Sequence, residues 1–194
     1  MLIYDLEIEK AIPDRGRREE GVEYCAGWED HAGMGLAVAA CYDYKTERTR
    51  VFCRDNLDAF FALLHTHECI VGFNNRRFDD RIVEALGYTI PPQLSYDILR
   101  EVYRGLGVAE SQRPPAGYGL EPLSRVNFNA SKDGDGRLAP VLWQRGAVGT
   151  VIDYCLRDLH LTKKLLDRII RAGRLIDPNS VGNLIAVRKP GSYA

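Results

Sequence analysis

The sequence predicts a mixed α/β fold, in which antiparallel strands come first and helices then alternate with further strands. The first observation is an opening group of three strands. One begins within residues 1–12, and two more at 35–44 and 49–54 are joined by the polar turn 45–48. The second observation is that helical and extended patterns alternate from residue 56 onward. The third is that the sequence shows no internal repeat and no second apolar core, so we expect one domain.

Each later element has its own signal. Asn56 precedes an apolar stripe at helical spacing, which predicts a capped helix over 56–67. The run CIVGFN at 69–74 is apolar enough for a short buried strand. The remaining predicted elements are a helix at 78–88, a loop or strand end and then a helix within 91–107, a short helix at 120–128 and an amphipathic helix at 151–169. Loops are predicted at 13–33, 108–119 and 129–140, and a hairpin or an extended tail at 171–194.

Composition excludes several classes of protein. The 194 residues suffice for one domain, with a core expected at about 1–170 and a C-terminal tail at 171–194. The hydrophobic share of 45% argues against a disordered chain, and no apolar run approaches the ~20 residues of a membrane span. The first residues lack the pattern of a secretory signal. Five cysteines without a C-x-x-C pair predict free thiols and a cytoplasmic location.

The formal net charge is -1, which argues against a protein that coats nucleic acid through bulk charge. It allows an enzyme whose acidic metal site lies in a locally basic cleft. Asp5 and Glu7 lie two apart on the first predicted strand, so both side chains point to one face and Leu6 points to the other. Two neighbouring carboxylates repel each other unless a cation lies between them. A solvated strand end explains the same pattern, so this pair alone is a weak signal.

A second polar group follows the predicted strand at 69–74. Asn74 lies at the end of this strand, and Asp79 follows Phe78 at the start of the next predicted helix. Helix capping accounts for an aspartate at such a position. We also expect Phe78 to pack inward and to orient Asp79, and a side-chain amide at Asn74 is placed where it can meet a ligand.

The third group lies on the long predicted helix. Tyr154 and Asp158 are four residues apart and share one face, which is close to the apolar one. A surface pair is the ordinary explanation. With the first two groups, however, the chain has four carboxylates near the ends of apolar elements, at Asp5, Glu7, Asp79 and Asp158. Hard oxygen ligands of this kind suit Mg²⁺ or Mn²⁺, and two such ions roughly 4 Å apart form the clamp used for in-line attack on a phosphodiester.

The ordered set of three motifs resembles the DEDD 3′–5′ exonucleases, the DnaQ-like family of the ribonuclease-H-like fold. The D-x-E motif corresponds to Asp5 and Glu7, and the segment GFNNRRFD carries the second motif from Asn74 to Asp79. The Y-x-x-x-D motif of the tyrosine (DEDDy) subclass corresponds to Tyr154 and Asp158. The histidine subclass has His five residues before the last Asp, where this chain has Asp153. The resemblance covers roughly residues 1–170.

The resemblance implies a mechanism and a set of roles. Asp5, Glu7, Asp79 and Asp158 would hold two divalent ions, Mg²⁺ or Mn²⁺, and Tyr154 would orient the attacking water. The substrate would be a nucleic acid with a free 3′ end. Leu6 and Phe78 would be apolar walls around its terminal nucleotide, unless they only pack in the core. Asn74 would contact the strand, unless it only forms a turn.

Three functions remain open at this stage. A 3′–5′ exonuclease on single-stranded ends is favoured, with DNA preferred over RNA. A catalytically silent ribonuclease-H-like module that binds nucleic acid or a protein is the alternative, and a structure-selective endonuclease is a third possibility. The loop at about 9–33 is longer and more charged than the family pattern, and the tail carries no motif of the family. A polymerase or helicase partner is conceivable, but no residue pattern identifies one.

Overall fold

The computed structural model describes residues 1–14, 18–109, 111–130 and 136–191. Its main sheet has five strands: β1 (Leu2–Glu7), β2 (Val38–Asp43), β3 (Arg48–Cys53), β4 (Ile70–Gly72) and β5 (Ser95–Asp97). They lie in the order β3-β2-β1-β4-β5. The first three strands are antiparallel, whereas β4 runs parallel to β1 and β5 parallel to β4. The predicted mixed sheet, with antiparallel strands first and parallel strands after them, is therefore confirmed.

The helices of the described residues flank this sheet. They are α1 (His31–Met34), α2 (Leu57–His65), α3 (Asp79–Ala85), α4 (Ile98–Gly105), α5 (Leu120–Phe128), α6 (Ala139–Gln144) and α7 (Val148–Ala172). The tail forms the hairpin that was one of its two predicted conformations, with β6 (Arg174–Ile176) antiparallel to β7 (Leu184–Ala186). The short helices α1 and α6 begin near the ends of the segments 13–33 and 129–140, which were predicted as loops, and extend beyond them. They span about one or two turns, too little for helical periodicity to be recognised. Residues 15–17 and 131–135 of those two loops lie outside the described residues.

The sheet separates two hydrophobic cores, and the alternation of β1 shows how. Ile3 packs in the core that contains the apolar face of α7. Leu2, Tyr4 and Leu6 pack in the opposite core, with residues of α2 and α3. Since side chains alternate along a strand, Asp5 and Glu7 lie on the same face as Ile3 and therefore face α7. Within the described part of the chain, no helix is both long and apolar enough to cross a membrane.

Candidate active site

A cluster of polar side chains lies at the end of β1, where α7 packs across β1 and β2. One carboxylate oxygen of Asp5, one of Glu7 and the Sγ atom of Cys155 all lie within 4.8 Å of one another. Glu7 and Cys155 are buried and Asp5 is half-buried. Two carboxylates at this separation repel strongly where little solvent screens them. A bound cation would remove that repulsion, so this pair has the chemistry of a metal site.

Cys155 is the member of the cluster that the sequence analysis missed, because a cysteine on the apolar stripe of a helix is typical of a core position. Its Sγ donates a hydrogen bond to the backbone oxygen of Asp5, at 3.3 Å. Burial, and then the charges of Asp5 and Glu7, raise the pKa of the Cys155 thiol. The thiol therefore stays protonated. A neutral sulfur is a poor ligand for a hard cation, so Cys155 packs against the cluster and the carboxylates supply its ligand chemistry.

Asp79 is joined to β1 between the two carboxylates of that strand. The ladder between β1 and β4 covers only Leu2 and Ile3, and the backbone N–H of Leu2 donates to Cys69 on the β4 side. The N–H of Leu6 points to the same side but lies beyond the end of β4. It donates instead to Oδ1 of Asp79 at 3.1 Å. The first residue of α3 is thus held beside the strand that carries Asp5 and Glu7.

The environment of Asp79 disfavours its charged form. The residue is 7% exposed. Burial, and then the nearby charge of Asp80, raise the pKa of Asp79 to about 8, although backbone hydrogen bonds from its own N–H and that of Leu6 act in the opposite direction. Such a carboxylate gains stability from a proton or from a cation. The raised pKa therefore fits a position at which a divalent ion binds.

A buried hydrogen-bond network fixes the first turn of α3 behind Asp79. Its centre is Asp80, which accepts hydrogen bonds from the Tyr4 hydroxyl, from Ser95 Oγ at 2.7 Å and from Asn75 Nδ2 at 3.0 Å. Asn75 is fully buried. A Cβ atom at Gly72 would lie 2.6 Å from the Cβ of Asn75, so only glycine leaves room for this side chain. The sequence analysis did not identify this network, because none of its members stands out in the local pattern.

Asn74 begins the turn between β4 and α3. Its backbone is left-handed, with a φ of 63°, and its N–H donates to Oδ1 of Asp97 at 3.0 Å. Asp97 also caps α4, since it accepts hydrogen bonds from the backbone N–H groups of Leu99 and Arg100. One carboxylate thus joins the turn after β4 to the helix after β5. A contact between the Asn74 side chain and a substrate remains a prediction.

Tyr154 and Asp158 share one face of α7, as their spacing predicts. Asp158 is 6% exposed, and the hydroxyl oxygen of Tyr154 is buried from solvent. Gly136 lies directly against that hydroxyl: a Cβ atom at Gly136 would be 2.8 Å from it. A side chain at this position would therefore displace the Tyr154 hydroxyl.

Aromatic side chains surround Phe78, the residue before Asp79. Leu6, the other predicted apolar wall, is 5% exposed and packs in the core. Phe78 is half-buried, and the rings of Trp28 and His31 approach it edge-on, with centroids 6.3 and 6.5 Å away. Trp28 is 64% exposed. The long segment after β1 therefore brings an exposed indole next to the residue that precedes Asp79, which the sequence pattern alone did not show.

The structure brings Asp5 and Glu7 together, joins Asp79 to the residue between them, and lays Tyr154 and Asp158 on the helix that packs across their strand.

Comparisons with known proteins reveal the fold alone. No protein-family model matches the chain, and no curated protein does. Among solved structures, the chain is similar to the family B DNA polymerase from the hyperthermophilic archaeon Pyrobaculum calidifontis, with a TM-score of 0.59 and 16% sequence identity over 87% of this chain. The chain spans about a quarter of that polymerase, since 24% of the polymerase is covered. The shared feature is a mixed sheet flanked by helices, which is consistent with a ribonuclease-H-like fold.

Proposed function

We propose that this chain is a metal-dependent 3′–5′ exonuclease that hydrolyses phosphodiester bonds at the 3′ end of single-stranded nucleic acid. The observation that carries the proposal is the convergence of Asp5 and Glu7 on one face of β1, opposite the helix of Tyr154 and Asp158, with Asp79 bonded to the residue between them. The fold similarity to a DNA polymerase supports a nucleic-acid substrate, with DNA preferred over RNA. We assign the activity to one domain, with its core at about 1–170.

The donor set fits two divalent ions, Mg²⁺ or Mn²⁺. The proposed ligands are carboxylates, the hard oxygen donors that these ions prefer: Asp5, Glu7, Asp79 and Asp158. Three of the four are less than a tenth exposed. A cation would therefore offset both their mutual repulsion and the free-energy cost of burying their charges. When bound, such ions supply a nucleophilic water at neutral pH and stabilise the negative charge on the leaving oxygen.

The protein's own residues position the reactants. The Leu6 N–H holds the Asp79 carboxylate at 3.1 Å, so this ligand needs little reorganisation. The Tyr154 hydroxyl, on the face of Asp158, would orient the attacking water by hydrogen bonding. Phe78 and the exposed ring of Trp28 would pack against the terminal base, because aromatic faces accept any base by stacking. Asn74 would contact the strand next to the terminal nucleotide.

A labelled-substrate assay tests the proposal. Purified protein would be incubated with 5′-labelled single-stranded DNA and RNA in Mn²⁺, Mg²⁺ or EDTA. We expect a metal-dependent ladder that shortens from the 3′ end. Asp5→Asn should lower the rate by more than about a hundredfold, since metal-assisted charge stabilisation contributes several kcal/mol. Asp153→Asn, which removes an exposed carboxylate from the same helix as Tyr154, should leave the ladder unchanged.

The other outcomes point to other functions. Internal fragments without a ladder would indicate an endonuclease. Folded protein that binds oligonucleotides but cleaves neither DNA nor RNA in any metal would contradict the proposal and favour a silent binding module. An unchanged ladder in Asp5→Asn would show that the carboxylate cluster is not the active site.

A further inference from the structure

A second concave surface, here called the arginine groove, lies along the edge of the sheet formed by β5. It runs between α3 and α4, ends at residues 107–109 and at Gln112 and Pro114, and has a volume of about 770 Å³. That volume lies within the roughly 300–1,000 Å³ typical of ligand sites. Five arginines line the groove: Arg76, Arg77, Arg81, Arg100 and Arg104.

The groove also contains three carboxylates, but each has its own partners. Asp80 accepts hydrogen bonds from Tyr4, Asn75 and Ser95, as described above. Asp97 accepts backbone hydrogen bonds from Asn74, in the turn after β4, and from Leu99, in the first turn of α4. Glu84 pairs with Arg81 at 2.8 Å on the surface. The arginines therefore outnumber the acids in a chain whose formal net charge is -1, so the groove concentrates positive charge that the whole molecule lacks.

Hydrogen bonds fix the orientation of Arg76 in the groove. Its Nε donates to the backbone oxygen of Ser95 at 3.1 Å, and its Nη2 donates to that of Pro92 at 2.6 Å. The guanidinium thus covers one carbonyl group of β5 and one of the segment before it, and is held in a fixed orientation. A preorganised planar cation loses little entropy when it binds an anion.

The other arginines offer charge nearer the rim. Arg104 pairs at 2.9 Å with Glu101, which is only 2% exposed. Arg77 is exposed and forms no ion pair within the part of the chain that the structure describes. Its positive charge lies near the Tyr103 hydroxyl and favours the ionised form of that group. Apolar and aromatic side chains complete the lining, at Ile90, Leu99, Tyr103 and Val108.

This combination identifies the class of ligand. Guanidinium groups bind phosphates, and an apolar lining with an aromatic ring accepts the faces of unpaired bases. Asn74 lies both in the groove and in the turn that leads to Asp79, and Asp97 of the groove accepts a hydrogen bond from its N–H. Asp80, which lines the groove, directly follows Asp79 in the chain, so the groove adjoins the turn that leads to the carboxylate cluster.

We propose that the arginine groove binds the phosphate backbone of the single strand on the 5′ side of the nucleotide held at the carboxylates. The inference rests on the proposed function, because it takes the strand's 3′ end to lie at Asp5, Glu7 and Asp79. A strand long enough to reach the groove then binds more tightly than a trinucleotide, and the added affinity depends on salt.

Binding of a 5′-fluorescein 12-mer of single-stranded DNA, followed by anisotropy in EDTA, tests the groove without turnover. The double variant Arg77→Gln/Arg81→Gln should bind roughly tenfold or more weakly at low salt. The slope of log affinity against log salt should become shallower by about 0.7 for each phosphate that the variant no longer neutralises. Arg48→Gln/Arg171→Gln, which removes the same charge from exposed sites on β3 and α7, should match the wild type. Thermal melting would verify that both double variants fold.

Hydrolysis of a trinucleotide separates the two proposals. In Mn²⁺, Arg77→Gln/Arg81→Gln should cleave a trinucleotide at the wild-type rate while its kcat/KM on the 12-mer falls. An equal loss on both lengths, or no loss on either, would overturn the groove as a strand site and leave the exonuclease intact. Absent cleavage with groove-dependent binding of the 12-mer would instead overturn the exonuclease alone. Displacement of the 12-mer by oligo-glutamate as effectively as by unlabelled DNA would overturn the nucleic-acid assignment.

Discussion

Replacing Asp79 by asparagine tests whether the site is built for a cation. Asparagine has nearly the same shape, and its side-chain oxygen can still accept the hydrogen bond from the Leu6 N–H. The substitution therefore removes the charge and little else. Without metal, the wild type buries a negative charge at this position beside Asp80, whereas the variant buries a neutral amide.

The magnitude follows from the raised pKa. Burial, and then the charge of Asp80, raise the pKa of Asp79 from 3.8 to about 8 in the folded protein. Between these values the folded state binds more protons than the unfolded state, so the free energy of unfolding falls as pH rises. The loss is at most about 1.4 kcal/mol per pH unit, or about 4 kcal/mol between pH 4 and pH 7. It ends near pH 8, where the folded carboxyl is also ionised.

Urea denaturation of both proteins in EDTA, from pH 4 to pH 9, measures this contribution. The two should have similar free energies of unfolding near pH 4, and Asp79→Asn should become the more stable one as pH rises to 8. Saturating Mn²⁺ should narrow the difference at pH 7 from about 4 to about 1 kcal/mol, because a ligand at a hundred times its Kd stabilises the wild type by about 2.7 kcal/mol. Asp153→Asn, at an exposed position, should follow the wild type throughout. Parallel curves for wild type and Asp79→Asn in EDTA would refute the reasoning.

Three further predictions concern other parts of the structure. Gly136→Ala places a methyl group 2.8 Å from the Tyr154 hydroxyl. Because the hydroxyl must then move, kcat should fall roughly tenfold or more, while oligonucleotide affinity in EDTA is retained. An unchanged kcat would show that Tyr154 takes no part in the mechanism. Trp28→Ala should raise KM about tenfold with little change in kcat, since one base loses its stacking partner; steady-state kinetics would show this, and an unaltered KM would contradict it. Although burial acts the other way, hydrogen bonds from His67, Lys45 N–H and Thr46 lower the pKa of Asp43 to about 2. Asp43→Asn should therefore lower the free energy of unfolding at pH 7 by about 2 kcal/mol, a difference that is lost as pH falls from 4 to 2. Equal stability of the two proteins at pH 7 would show that these hydrogen bonds to Asp43 do not stabilise the fold.

The sequence by itself determined features that depend on local periodicity. The period of two along β1 places Asp5 and Glu7 on one face, and the period of 3.6 along α7 places Tyr154 and Asp158 on one face. The same periodicities predicted the mixed sheet, which the structure confirms. The order and spacing of the polar groups suggested one chemistry for all of them. These inferences needed only neighbours in the chain, whose relative directions the backbone geometry fixes.

The tertiary structure decided which distant residues meet. Asp79 bonds to Leu6, 73 residues away, only because β4 ends early and leaves the Leu6 N–H to the first turn of α3. No local pattern encodes where a neighbouring strand stops. Cys155 enters the carboxylate cluster because α7 crosses β1 at that point, and Trp28 reaches Phe78 through a long irregular segment. The arginine groove likewise exists because α3 and α4 flank the edge of β5. Contacts of this kind depend on packing across the whole chain, and periodicity gives no information about them.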